Sequence, residues 1–222
     1  MRILLTTYGP FRDVKENITE KVADGIQKGW DHKRGELVVL NLPVEWRDAE
    51  ILLTHALEEL KPDVAVSMGH AEKYPAITIE TRYFNIAEGA DNQGEKCRGG
   101  VIVPDGADFY DTNCDITMLA SFLEKNNVPA VLHTGKEGMT YLCNFAGHVV
   151  MQHIRSHQQQ KPLFIFLHLP PDAIPFDELV RGVTKVLDFL TENSRSGLRA
   201  KTFARRMFAR PRFRGNFGKA RP

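Results

Sequence analysis

Apolar residues recur along this chain with two different periods. Short runs rich in β-branched residues, at 3–6, 37–42, 64–68, 76–79, 130–133 and 163–167, read as strands. Between them, across 19–27, 48–60, 116–125, 144–155 and 177–190, apolar positions return every three or four residues, the spacing of a helix that buries one face. Asn17 and Thr19 form a cap signal ahead of the first helix. The last carries one stripe of Phe176, Leu179, Val180, Val183, Val186, Leu187 and Leu190. Strands interleaved with helices predict a layered α/β fold around a largely parallel sheet. Ligands of such sheets bind beyond the carboxyl ends of the strands, so residues just after the apolar runs become candidates for chemistry. Residues 86–113 follow neither period. Gly89, Gly94, Gly99, Gly100 and Gly106 interrupt them, and the segment reads as an ordered arm.

Composition narrows the class. The chain has 222 residues, 42% hydrophobic, 26% charged and with a formal net charge of +1, enough for one domain with a sizeable core. No run approaches the roughly 18 apolar residues of a membrane span. The start, Met1-Arg2-Ile3-Leu4-Leu5-Thr6-Thr7, is too short and polar for a secretory signal. A soluble cytoplasmic protein is therefore expected. Cys97, Cys114 and Cys143 show no paired spacing, which points to reduced thiols and not to a disulfide framework or a zinc knuckle. The near-zero charge hides an asymmetry: residues 193–222 hold ten basic and no acidic side chains, against 19 basic and 28 acidic before them. The expected organisation is a globular body over 1–193 and a basic tail over 194–222, disordered or partly helical. In the tail, Phe203, Met207, Phe208, Phe213 and Phe217 alternate with arginines. That composition suits stacking on single-stranded nucleic acid or lying on an anionic surface; the plainer reading is an extension drawn back onto the acidic body.

Three residues stand out as a chemical set. Cys143, in Thr140-Tyr141-Leu142-Cys143-Asn144-Phe145-Ala146-Gly147-His148, follows a turn marked by Gly135 and Gly138 and falls where a helix begins. The helix dipole and unpaired N–H groups there are expected to favour the thiolate, lower the thiol pKa and hold an oxyanion. His168 closes the apolar run 163–167 just before Pro170-Pro171, at the carboxyl end of a buried strand, and could serve as the general base of a cysteine nucleophile. Glu80, at the end of Ala76-Ile77-Thr78-Ile79, could orient that imidazole. Each alone has an ordinary explanation: a packed thiol, a core histidine, a solvated carboxylate. His153 and His157 are four apart on a helix, but neither a Glu-x-x-His context nor a nearby cysteine completes a metal site, so they read as a solvated face. His70 and His133 lie at strand ends within possible reach of the set.

Taken together, Tyr141-Leu142-Cys143-Asn144 after a glycine-bearing turn, Phe166-Leu167-His168-Leu169-Pro170, and Glu80 eleven residues after Gly69 resemble the type I pyroglutamyl peptidases, or pyrrolidone-carboxylate peptidases. Thr6-Thr7-Tyr8-Gly9-Pro10-Phe11 is similar to the family's opening, and Asn17-Ile18-Thr19, Leu42-Pro43-Val44 and Val103-Pro104-Asp105-Gly106 fall in register over about residues 1–193. The resemblance implies a single-domain α/β/α sandwich with a mostly parallel mixed sheet, no cofactor and no metal, a homo-oligomer (dimer or tetramer), and pyroglutamyl-capped peptides as substrates. It implies Cys143 as nucleophile, His168 as base and then acid, and Glu80 as the orienting carboxylate. Tyr8, Phe11, Gly69, His70, Tyr141 and Leu142 would line the substrate site. The chain departs from the family pattern at Thr7, Arg12, Tyr74, Thr81 and Met139, which leaves a divergent cysteine amidase, or a non-catalytic protein with a nucleic-acid-binding tail, as the alternatives.

Overall fold

In the computed structural model, which describes residues 1–97, 100–134, 140–157 and 161–195, the two periods resolve into strands and helices in alternation. In chain order these are β1 (Arg2–Tyr8), α1 (Ile18–Lys28), a single 3-10 turn (His32–Arg34), β2 (Glu36–Leu42), α2 (Trp46–Leu60), β3 (Val64–His70), β4 (Ile77–Glu80), β5 (Arg82–Phe84), β6 (Phe109–Asp111), α3 (Ile116–Lys125), β7 (Ala130–His133), α4 (Leu142–Ser156), β8 (Leu163–Leu169) and α5 (Phe176–Arg195). Gly99 of the arm, the turn residues Gly135 and Gly138, Met139, and the tail from Ser196 to Pro222 lie outside the described residues.

Six strands form one sheet in the order β2-β1-β3-β8-β4-β7, and β5 pairs with β6 separately. Every contact within the main sheet is parallel except β4 with β8, which makes it mostly parallel and mixed. Strand alternation sends Ile3, Leu5, Val64, Val66, Ile77, Ile79, Ile165 and Leu167 to one face, against residues of α1, α3 and α5. Leu4, Tyr8, Ala65, Phe164 and Phe166 point to the other, against α2 and α4. The architecture is an α/β/α sandwich. The caps explain where helices begin: Asn17 accepts from the Thr19 N–H at the head of α1, and Asp115 from the Met118 N–H at the head of α3. Phe176 departs from its expected stripe, being 43% exposed at the first turn of α5.

Two contacts set the position of α4. Gly147 lies against Tyr83 so closely that a Cβ there would come within 2.0 Å of the phenol ring. Tyr83 is itself buried, donating to the Glu80 carbonyl at 3.3 Å and accepting from the Phe166 N–H at 3.1 Å, so it ties helix, β4 and β8 together. Asn144 does the same at the helix start: its Oδ1 accepts from the Phe84 N–H at 2.7 Å, and its Nδ2 donates to the Phe84 and Ile86 carbonyls, each at 2.8 Å. Gly147→Ala should cost about 1–3 kcal/mol through overpacking, read as a lowered midpoint in chemical denaturation with an unchanged slope. Asn144→Leu removes three buried hydrogen bonds and leaves about 1–3 kcal/mol of desolvation penalty for each stranded backbone group. It should lower the same midpoint further than Gly147→Ala does.

Candidate active site

The sheet register lines up the site on the α4 face. His168 on β8 is opposite Gly69 on β3 and opposite Thr78 on β4. Two residues along β4 on the same face comes Glu80, which is itself opposite His133 on β7. Across neighbouring strands this gives His168, Glu80 and His133 in a row. His168 Nε2 is 3.1 Å from Glu80 Oε1, and His133 Nδ1 is 3.5 Å from Glu80 Oε2. The His168 to Glu80 approach lies off the hydrogen-bond axis, a looseness common in catalytic sites without substrate. Among the described residues, His168 Nδ1 is buried with no hydrogen-bond partner.

Gly69 makes room for the nucleophile. A Cβ built there would stand 3.0 Å from Cys143 Sγ and 3.0 Å from the Phe166 ring, so the bare backbone lets the thiol settle over β3 without displacing either. Cys143 is in the first turn of α4, and the helix has no side-chain cap at Tyr141. The first intrahelical bond runs from the Phe145 N–H to the Tyr141 carbonyl, which leaves the earlier N–H groups of the turn aimed outward. N–H groups left without an acceptor within the helix are of the kind that can meet developing negative charge.

The expectation of a lowered thiol pKa is overturned. Burial pushes the Cys143 thiol up to about 12, and the Glu80 charge adds to the rise; the hydrogen bond from its own backbone N–H opposes them weakly. Cys143 keeps a partly exposed surface, but the atoms packed round the sulfur strip it of water, and desolvation outweighs the helix end. Burial and the neighbouring Cys143 also raise Tyr8 well above its ordinary value, and burial, Glu80 and Cys143 raise Tyr74. Both phenols are held neutral as donors.

Of the residues suggested as lining, Tyr8 is buried and donates to the Leu142 carbonyl at 3.4 Å, which joins β1 to the start of α4. Leu142 packs its side chain into the core. Phe11 meets the His70 ring edge-on at 6.0 Å between centroids, and the Nδ1 atom of His70 is buried without a partner. Tyr141 donates to the Ala90 carbonyl at 3.0 Å, packs on Trp46 and carries the Arg12 guanidinium 5.0 Å above its ring. A cleft of about 390 Å³ lined by Trp46, Asp91, Cys97 and Phe145 opens behind Tyr141 and contains none of the three catalytic candidates. His133, expected within possible reach of the set, comes to Glu80 through the pairing of β4 with β7. Tyr74, whose ring centroid is 5.4 Å from that of His168 and 6.0 Å from that of His133, joins from the loop between β3 and β4 without having been singled out for the site.

Comparison with known proteins agrees with this geometry. The family model described as pyroglutamyl peptidase matches residues 1–184. A pyrrolidone-carboxylate peptidase of Pyrococcus furiosus is 32% identical over 189 residues, covering 82% of this chain and 87% of that one. One from Oceanobacillus iheyensis is 34% identical over 176 residues, covering 76% and 83%. Among solved structures, a mutant pyrrolidone carboxyl peptidase from Pyrococcus furiosus superposes with a TM-score of 0.79 at 25% identity over 87% of this chain and 99% of its own. With a family model spanning its whole body and relatives of this closeness, the chain belongs to the pyroglutamyl peptidase family.

Proposed function

We propose that Cys143, His168 and Glu80 carry out the family's reaction, removal of an N-terminal pyroglutamyl residue from a peptide by a cysteine peptidase. The observation that supports this most is the seat of the Cys143 thiol over Gly69, next in register to a histidine already in contact with a buried carboxylate. His168 takes the thiol proton through Nδ1 as Sγ attacks the pyroglutamyl carbonyl carbon. The oxyanion is met by the uncapped N–H groups of α4, and Glu80 stabilises the imidazolium through Nε2. The tetrahedral intermediate collapses as His168 gives its proton to the departing amine, leaving a thioester on Sγ. Water then attacks the thioester carbon, His168 accepts its proton, and that proton returns to Sγ as pyroglutamate leaves. Because the resting thiol is pushed up to about 12, deprotonation belongs to the attack step and not to a preformed thiolate.

A pyroglutamyl ring is flat and neutral, with one N–H, one C=O and two apolar faces, so aromatic walls and backbone hydrogen bonds suit it better than charges. Tyr8, Phe11, His70, Tyr141 and the Leu142 backbone are proposed as its surroundings. The body over 1–193 is proposed as the catalytic unit, working in the cytoplasm as a homo-oligomer. Exposed Val131 and Leu132 on the edge strand β7 and three cysteines outside any disulfide support that reading. Among the described residues, no helix is long and apolar enough to cross a membrane.

The test is release of a fluorescent amine from a pyroglutamyl amide, with a prolyl amide as the control for lactam recognition. Wild type should turn over the first and spare the second. Equal turnover of both would move the chain to a broad amidase. Cys143→Ser should reduce turnover at least roughly 10³-fold with the fold retained, and wild-type rates in that variant would remove Cys143 from the mechanism. His168→Ala should lower kcat by roughly 10²–10⁴-fold with a smaller change in KM; a change confined to KM would make it a binding residue. For a thiol raised to about 12, the thiolate fraction grows about tenfold per pH unit below that value. Iodoacetamide inactivation of the free enzyme should therefore keep accelerating past pH 9, whereas a plateau below pH 8 would reveal a preformed ion pair.

A further inference from the structure

His153 and His157 lacked a third ligand along the sequence, and the fold supplies one. Helices α2 and α4 pack side by side on one face of the sheet, and this brings Glu58 of α2 to the histidine pair at the end of α4. One ligand atom from each of Glu58, His153 and His157 lies within 4.8 Å of the others. We propose that these three residues bind a divalent transition-metal ion of the zinc type, as a clip between α2 and α4.

Two imidazoles and a carboxylate match the donor preference of zinc, with water completing the tetrahedron. Donor atoms about 2.0–2.1 Å from such an ion are roughly 3.3 Å from one another. The trio reaches that spacing by small side-chain turns of the exposed Glu58 and His157 toward the half-buried His153. The nitrogens of one ring are already sorted. His157 Nδ1 lies 2.9 Å from the His153 carbonyl, so it carries the proton and donates it, and Nε2 presents a lone pair. A backbone acceptor behind a ligating histidine is the usual support of a metal site. The two rings stack with centroids 4.0 Å apart and so project from the helix together. His153 lies ten residues beyond Cys143 on α4, about 15 Å along the helix. The ion would act on the tie between helices and not on the reacting atoms.

The test uses the full chain carrying Cys143→Ser, so that the nucleophile cannot supply a ligand, freed of metal with a chelator and titrated with Zn²⁺ by calorimetry. One ion per chain should bind with a micromolar Kd. His153→Gln and Glu58→Gln should each weaken binding at least tenfold, and His157→Gln, at an exposed position, repeats the test should His153→Gln fail to fold. Saturating Zn²⁺ should raise the Tm of the parent by several degrees and leave the His153→Gln variant unmoved, while Mg²⁺, which prefers oxygen donors, should do neither. No binding below 100 μM, binding unchanged by His153→Gln, or an equal response to Mg²⁺ would overturn the site. Full affinity in Glu58→Gln would overturn the clip between helices.

Discussion

Everything in this molecule that resembles chemistry depends on how closely one helix approaches the sheet. Helix α4 comes down on Gly69 with its first turn and on Tyr83 with Gly147; a methyl group would crowd the first approach and collide in the second. Close approach costs the sulfur its water, which raises the thiol pKa, and in exchange it brings the thiol to the strand that carries His168. Glu80, only 4% exposed, lies on the same face of the sheet and adds to the rise of both Cys143 and Tyr74. Packing and reactivity are thus set by one distance.

Most of the architecture was legible because the two hydrophobic periods are clean. The helix over 116–125 coincides with α3, and the others gain one to five residues at an end, where capping and not periodicity decides. Strands β5 and β6, three residues each, carry too few positions to show alternation; Tyr110 fell inside the arm read over 86–113, and Tyr83 just before it. Within the site, Cys143, His168 and Glu80 could be named because each ends or begins an element with strong local pattern. His133 could be placed only within possible reach and Tyr74 only as a departure from the family pattern, since their relation to the site exists through the pairing of β4 with β7 and through the loop between β3 and β4. Thiol electrostatics failed for a similar reason: the helix end is visible in sequence, whereas the packing that desolvates it is not.

The lone carboxylate between two histidines gives the site a symmetry that its chemistry does not need. One imidazole, on β8, is next to Gly69 and the thiol; the other, on β7, stands at the sheet edge, partly open to solvent. Strand order alone separates their situations. Tyr74 packs against both rings, tilted by 57° to His168 and 58° to His133, and so puts one aromatic surface in contact with the two imidazoles.

The reversed direction of β4 carries a consequence for how the protein comes to be active. In a fully parallel sheet, the last residue of a strand sits at the rim; here β4 runs against β8, and its last residue reaches back below His168. The carboxylate therefore arrives only when residues 77–80 find residues 163–169 in the right alignment. A slip by one position would turn Glu80 to the opposite face and offer Ile79 in its place. Pairings between such distant segments form late and slowly. During refolding, helix content and collapse should run ahead of catalysis, and turnover becomes the clock of the last strand to dock.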